Sequence, residues 1–490
     1  MSLSAALGLA ISGLDATRAG TDIVAANIAN AGSPGYRRRE AVTVETIADN
    51  RPGGVRLESV RRVIDRMVER QVITERAASA FAATRADSLG ALDGLFGGPG
   101  SATALDTQVN RLSAALSALA EDPGSAFTRT EVLASATTLT GTLGALSGEV
   151  QALRQDAERG IGEAATRANE ILAGIAVAES RLAGPGETPA LLDERDRLVS
   201  ELAGLIDLRV LQRPDGRVGL MTGSGLTLYD DGQAARLAFD GPRPLSAGAL
   251  ADADPSLSGV GRLVLVTPDG VSIDLAAPGA LRAGRIAGLM TLRDADLPAV
   301  QDGLDMLAAR LATALADPAG GPPGFSVFVD GATGAAYAGT LAAGPPRTGL
   351  AARLAVDLAL LADPSRLVVS GPGVAAGDRA RPAALLERLA ATPEMTPTGW
   401  TGRAGSSESV TVTGLARRLV GAVGARAAEA ARLDEGQKVL TAAVEARLER
   451  ASGVDIDGEM ARLVELQTAW SANARVLSAV REMLDALMRI

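Results

Sequence analysis

The sequence predicts a mainly α-helical protein with a β-rich insertion: N- and C-terminal helices paired as a coiled coil, a long-helix bundle, and an inserted outer β domain. Three observations predict it. Both ends carry apolar seams of alternating three- and four-residue spacing. The stretch from about Ser59 to Asp207 keeps a helical period between Gly and Pro breaks. Between Leu208 and Ala280 the texture changes to short alternating runs. Composition agrees, because the 490 residues are 47% hydrophobic but only 2% aromatic. Such cores are filled by Ala, Leu and Val, which suit closely packed helices better than thick sandwiches.

At the start, the seam runs through Leu3, Leu7, Ala10, Leu14, Thr17, Thr21, Val24 and Ile28. At the end it runs through Leu463, Leu466, Trp470, Asn473, Leu477, Val480, Leu484 and Leu487. Periodicity alone accommodates two readings: amphipathic helices laid on one globular core, or termini packed against each other. Comparable lengths and matching alternation lead us to expect the two helices side by side along one axis. Thr17, Thr21 and Asn473 weaken such a seam in isolation but set register or meet a neighbouring subunit.

Asn30 and Gly32 offer a left-handed stop to the first helix, and Ser33-Pro34-Gly35-Tyr36 places Pro and Gly in type II turn order before an extended segment. Arg37, Arg38 and Arg39 read as a solvated or intersubunit-pairing face rather than an anion site. The helical stretch that follows is punctuated at Gly97–Gly100, Asp122–Gly124 and Gly184–Pro189. Within it, the charges of Leu191–Leu198 read as ordinary helix pairing, Asp193 with Arg197, rather than a catalytic carboxylate cluster.

Runs at Arg217–Met221, Leu226–Tyr229 and Leu263–Thr267 read as strands. Leu281–Ala316 returns to helix, Gly320–Thr401 mixes strands with a short helix, and Val410–Arg450 is helical. Gly223-Ser224-Gly225 and Gly371-Pro372-Gly373 lack the strand-to-helix setting of a phosphate loop and read as hairpin turns. The expected division is nested. Residues 1–36 with 452–490 form a terminal coiled-coil domain, 37–207 with 281–318 and 402–451 a helical bundle, and 208–280 with 319–401 an outer β-rich domain.

Cys and His are absent and Lys438 is the single lysine. Zinc fingers, Ser-His or Cys catalysis, disulfides and His or Cys haem ligation are therefore excluded. Lys438 lies in Gly436-Gln437-Lys438-Val439, which is not a phosphate-binding loop. We expect no enzyme activity, no cofactor and no catalytic or metal site. A net charge of −10 argues against a nucleic-acid partner. Charges interrupt every apolar stretch before it reaches spanning length, and no basic segment with a cleavage site opens the chain, so neither a membrane span nor an ordinary secretory signal is expected.

Ser12-Gly13-Leu14-Asp15, with Asn27-Ile28-Ala29-Asn30-Ala31-Gly32-Ser33-Pro34-Gly35-Tyr36, closely resembles the N-terminal motif shared by flagellar rod, hook and hook-associated proteins. Ser452-Gly453-Val454-Asp455-Ile456-Asp457-Gly458-Glu459-Met460, with Leu466-Gln467, Trp470, Ala472-Asn473-Ala474 and Met483-Leu484, resembles their C-terminal motif. Inside the chain, Leu191–Leu198 and Gly284–Arg293 are similar to stretches of the hook-associated protein 1 family, as is the Ser-Gly-Val that precedes the last helix. Ser33, Arg37-Arg38-Arg39 and Trp470 depart from the family's usual Thr, Ser-Arg-Gln and Tyr.

The resemblance implies a structural subunit at the hook-filament junction of the bacterial flagellum. It implies export through the flagellar type III apparatus from the cytoplasm, and a chaperone on the C-terminal helix before export. It implies assembly with further copies in a ring or helix, between hook protein and the next hook-associated protein. The assembly and partner surface would comprise Leu7, Leu14, Val24, Ile28, Leu463, Leu466, Trp470, Asn473, Leu477, Val480, Leu484 and Leu487. Competing readings are a hook or distal rod protein, and a secreted cell-wall hydrolase with paired carboxylates. Two Trp and three Tyr offer the latter little sugar-stacking surface.

Overall fold

The computed structural model describes residues 3–33, 35–48, 51–184, 188–213, 216–277, 279–317, 325–339, 341, 347–369, 373–395 and 408–488. In chain order, helix α1 (Leu3–Ala29) leads to strands β1 (Arg39–Ala48) and β2 (Arg51–Arg62), then to α2 (Arg66–Phe96), α3 (Leu105–Glu121), α4 (Ala126–Leu182) and α5 (Thr188–Leu205). Strands β3 (Leu208–Gln212), β4 (Val218–Thr222), β5 (Thr227–Asp230), β6 (Gln233–Ala234), β7 (Arg236–Phe239), β8 (Leu263–Val266) and β9 (Ser272–Asp274) follow. Helix α6 (Arg285–Thr291) continues through a π-helical turn, Leu292–Asp296, into α7 (Leu297–Ala314). Then come β10 (Phe328–Asp330), β11 (Ala335–Ala336), α8 (Leu350–Arg353), β12 (Leu354–Val356), α9 (Leu358–Ala362), α10 (Ala380–Ala390), β13 (Glu394–Met395) and β14 (Glu408–Ser409). Helices α11 (Val412–Ser452) and α12 (Ile456–Met488) complete the order. The protein is mainly helical, with long terminal helices and small inserted sheets, as the periodicities predict.

The chain divides into two compact units. The first comprises residues 1–77, 168–235 and 438–490, and the second 78–167 and 236–437. Strands from the 208–280 stretch fall in both: β3–β6 form an antiparallel sheet of the first unit, and β7–β9 one of the second. The Gly223–Gly225 segment is the expected hairpin turn, with Gly225 at φ +96° and its N–H donating to the Thr222 carbonyl. In Gly371-Pro372-Gly373 the first two residues lie outside the described ones.

The second unit is built on aliphatic stripes. Leu105, Val109, Leu112, Leu116 and Leu119 of α3 recur at helical spacing and are buried with Leu139 and Leu143 of α4, Leu304 and Leu311 of α7 and Leu419 of α11. Phe328, Leu350, Leu360 and Leu385 join the same core. Helical turns outweigh strand among the described residues of 319–401, because its strands are only two or three residues long and α10 buries Leu385 and Leu389 as one helical face.

Where the sheet and loops of this unit meet its helices, buried charges do the joining. Arg293, in the π-helical turn, donates to Glu158 of α4 at 2.6 Å and to the Gly261 carbonyl at 2.8 Å. Glu158 also accepts from the Gly261 and Arg243 amides. Arg154, one turn before Glu158, donates to the carbonyls of Ser246, Ala249 and Arg293. Gly288 permits α6 to approach α2, since a Cβ there would lie 3.0 Å from Thr84 Cβ.

Asp305 of α7 receives the Gly349 and Ala351 amides, at 2.7 and 2.9 Å, and the Gln301 amide at 2.9 Å. Burial pushes its carboxyl up to about 6, against the pull of those donors. In an unfolded chain the value is about 3.9, so between about pH 4 and 6 the folded chain holds a proton that the unfolded chain has released. The stabilisation is therefore greatest below that window and is lost as pH rises through about 6. Urea unfolding at pH 5 and pH 7.5 should show the wild type losing about 1 kcal/mol more than Asp305→Asn over that interval. Parallel pH profiles for the two proteins would contradict the assignment.

Candidate assembly surface

Helices α1 and α12, both in the first unit, pack antiparallel. Gly13 lies against Asn473, Gly20 against Leu466, and Asn27 against Glu459. A Cβ at Gly13 would sit 2.7 Å from Asn473 Nδ2, and one at Gly20 would sit 3.0 Å from Leu466 Cδ2. The two glycines, one heptad apart, thus set the interhelix distance. Ala10, Thr17, Gly20, Val24 and Asn27 are buried, whereas Leu7, Leu14 and Ile28 are half-buried. One stripe of the expected seam holds its place. The other lies one residue earlier, on Gly13, Gly20 and Asn27 rather than Leu14, Thr21 and Ile28, because bare backbone lets α12 come closer than leucine would. Thr17 and Thr21 do not bridge to α12 through their hydroxyls, which donate to carbonyls a turn back in α1.

Asn27 is fully buried, and every donor and acceptor position of its amide is used. Nδ2 donates to the Arg39 carbonyl at 2.9 Å and to Glu459 Oε2 at 3.1 Å. Oδ1 accepts the Tyr36 hydroxyl at 2.9 Å and the Arg39 amide at 3.0 Å. One side chain therefore ties α1, the turn after it, β1 and α12 together. Burial, ahead of the opposing pull of Arg39, raises the Tyr36 phenol above its usual range. The Arg39 guanidinium lies 4.8 Å from the Tyr36 ring centroid. Ser452, also buried, accepts the Arg38 amide on its carbonyl and the Asp65 amide on its hydroxyl.

Several expectations are corrected here. Helix α1 ends without a left-handed residue at Asn30 or Gly32. The Asn30 side chain donates to the Ala26 carbonyl, and the Ser33 amide returns to the Asn30 carbonyl. The turn that follows is closed by the Tyr36 amide on the Ser33 carbonyl with Gly35 at φ +84°; Pro34 lies outside the described residues. Arg38 and Arg39 pair within the chain, Arg38 with Glu40 at 2.9 Å and Arg39 with Asp193 at 3.1 Å. Asp193 does not pair with Arg197. It takes Arg39 and Arg62, while Arg197 lies 3.7 Å from Glu201. Arg195 is buried against Glu179 and Asp196 and donates to the Gly216 carbonyl. The charges of Leu191–Leu198 thus clamp α4, α5, the β1–β2 hairpin and the β3–β4 turn, because their partners are distant in sequence rather than one helical turn away.

Along α12, Val480 is buried, Leu463, Leu466, Asn473 and Leu477 are half-buried, and Trp470, Leu484 and Leu487 are exposed. Trp470 and Leu487 are 52% and 59% exposed, and Met460, Val464, Val476 and Met483 lie open as well. The helix therefore buries one face on α1 and leaves a second apolar face uncovered. In sequence, Trp470, Leu484 and Leu487 read as part of an assembly surface, whereas Gly13, Asn27, Tyr36 and Glu459 stand out only as motif residues and Gly20 is left out, although the heptad spacing of the two glycines was an available signal. A separate cleft of about 500 Å³ in the first unit is lined by Arg37, Arg70, Val72, Glu69, Val199 and Leu448 among others. Burial, and then the neighbouring Asp196, raises the Glu69 carboxyl there. Among the described residues no cluster of three or more acidic side chains is placed to hold a metal, and no helix is long and apolar enough to cross a membrane.

A family model for the flagellar hook-associated protein FlgK helical domain matches residues 89–317. Models for the flagella basal body rod protein and for the flagellar basal body rod FlgEFG protein C-terminal match residues 7–37 and 448–490. Flagellar hook-associated protein 1 of Escherichia coli (strain K12) is 24% identical over 327 residues, covering 64% of this chain and 56% of the relative. The protein of the same name from Salmonella typhimurium is 25% identical over 333 residues, with the same 64% and 56% coverage. The chain thus spans little more than half the length of the curated relatives it matches. A solved structure, the flagellar hook junction protein FlgK from Burkholderia pseudomallei, is similar with a TM-score of 0.47 and 23% identity, covering 54% of this chain and 47% of that one.

The Asn27 contacts yield a direct expectation. Asn27→Leu fills the site but strands the Tyr36 hydroxyl, the Arg39 amide and carbonyl, and Glu459, at roughly 1–3 kcal/mol for each group left unsatisfied. We expect a loss of about 3 kcal/mol or more in chemical denaturation of the first unit, with the transition of the second unit unmoved. A change below about 1 kcal/mol would show that water replaces the amide without penalty.

Proposed function

We propose that this chain, which belongs to the flagellar rod and hook axial family and carries its hook-associated helical domain, is a structural subunit joining hook to filament. The observation that carries the reading is helix α12, pinned to α1 on one face and open on another through Trp470, Leu484 and Leu487. An apolar helix face of this extent is covered when the chain assembles. We assign its cover to further copies of the chain in a ring or helical array, with hook protein on one side and the next hook-associated protein on the other.

Before assembly the same face requires protection, which an export chaperone on the C-terminal helix supplies. The subunit is made in the cytoplasm, leaves through the flagellar type III apparatus, and takes its place in the flagellum. Absence of His and Cys, a single lysine and buried carboxylates already paired with arginine favour a structural over a catalytic role. We retain the functional division into terminal helices (1–36 with 452–490), helical bundle (37–207 with 281–318 and 402–451) and outer region (208–280 with 319–401). In it, the terminal helices carry axial assembly.

Deletion of residues 458–490 tests the reading. None of the aliphatic core of the second unit comes from α12. Its thermal transition should therefore be unchanged by circular dichroism, while hook attachment and chaperone binding disappear and cells shed unpolymerised flagellin. Each large apolar side chain buried on assembly is worth roughly 1.5–3 kcal/mol, so losing several removes most of the drive to assemble. Normal filaments on cells carrying only the shortened chain would refute the assembly role of α12.

A further inference from the structure

Beside the α1–α12 seam runs a groove of about 330 Å³ between α1, the β1–β2 hairpin and α12. Its α1 wall is made of small residues, Gly13, Ala16, Thr17 and Gly20, with Val55 of β2 and Leu466 of α12 facing them. The hairpin is held over α1 by the Val55 amide on the Ser12 hydroxyl and by Gly54, whose Cβ would fall 2.9 Å from Ser12 Cβ. Walls fixed in this way do not collapse to fill the space. Arg462 lines the groove and makes no hydrogen bond or ion pair among the described residues. Elsewhere on the polar rim Glu40 and Glu459 take Arg38, Glu459 also takes Asn27, and Arg39 pairs with Asp193 while its Nε stays buried without a hydrogen-bond partner among the described residues.

A large, flat, neutral group that attracts a guanidinium would complement the Arg462 side of this groove. What is missing a cover elsewhere on the same helix is Trp470, half-exposed and not among the groove's lining residues. Resting on the self-association read above, we propose that Trp470 of one copy inserts into the α1–hairpin–α12 groove of a second copy, stacking under its Arg462. Tryptophan and arginine are the side chains that most often anchor interfaces, and a Trp face beneath a guanidinium is the strongest of the cation–π pairs. Knob and hole lie on different parts of one chain, so the contact is head-to-side. Such a contact repeats from copy to copy and builds a ring or a helix rather than a closed two-fold dimer.

The test places a photoreactive benzoylphenylalanine at position 470 of the full chain and mixes copies labelled with light and heavy nitrogen. After irradiation at assembling concentration, mixed-isotope dimers should form in which position 470 is joined to peptides containing Gly13–Val24, Val55 or Arg462. Arg462→Ala should lower the yield about threefold, in line with the modest worth of an exposed cation–π pair. Ala16→Phe, which fills the groove, should reduce the yield to background while circular dichroism shows a folded chain. Dimers crosslinked elsewhere would overturn the groove while leaving self-association intact. Failure to trap any dimer from positions 470, 484 and 487 alike would overturn the self-association reading as well.

Discussion

One saturated amide, that of Asn27, holds together four elements of the first unit, among them both terminal helices. Its hydrogen bonds join a helix, a turn, a strand and a second helix that lie far apart in sequence, with Glu459 the farthest. A buried polar group is costly unless every position is used, and here every position is. The geometry is therefore specified more tightly than leucines on a seam would specify it. The glycines at 13 and 20 act with it: backbone proximity sets the distance between α1 and α12, and the asparagine sets their register. The exposed face of α12 and the groove beside α1 both depend on that placement.

Elsewhere the same device recurs with arginine. Arg154, Arg195, Arg293 and Arg347 lead the largest fully buried side chains, in a chain with few aromatics to fill volume. Each meets a carboxylate or a set of carbonyls: Arg195 with Glu179, Arg293 with Glu158, Arg347 with Asp302, and Arg154 with the loop carbonyls around Ser246. The planar fork satisfies several acceptors at once while the aliphatic stem packs as a hydrophobe would. Such pairs contribute little net stability relative to a well-packed apolar replacement, but removing one partner is severe, so they select a conformation more than they deepen it. Arg195 and Arg293 lie in the two interior stretches whose resemblance to hook-associated proteins was visible in sequence, and both anchor loops onto helices.

The parts legible in sequence were those governed by period. Helix placement, the turn positions at Gly97–Gly100 and Asp122–Gly124, and the strand texture after Leu208 follow from local pattern; one exception is Ser59–Arg62, expected as helix, which pairs with Arg39–Val42 as the end of β2 before α2 starts at Arg66. Illegible were facts that depend on which residues meet across long separations. Asp193 and Arg197 stand at helix-pair spacing, yet Asp193 belongs to Arg39 and Arg62 from the hairpin. Leu14 and Ile28 score as seam residues on hydrophobicity, yet the contact runs through Gly13, Gly20 and Asn27, which hydropathy ranks low. In the 319–401 stretch, Gly and Pro breaks resemble strand punctuation but separate short helices.

The bond between Asn27 and Glu459 spans 432 residues of chain. Few contacts could be less local, and nonlocal contacts form late, because the loop they close costs entropy until the intervening residues have folded. At ribosomal speeds of about 5–20 residues per second, α1 waits roughly 20 to 90 s for its partner to be made. Through that interval its seam is an unpaired apolar stripe on a helix that is marginal alone. Translation order thus gives the terminal pair a built-in delay, and the chain spends its synthesis unable to present the paired α1–α12 surface.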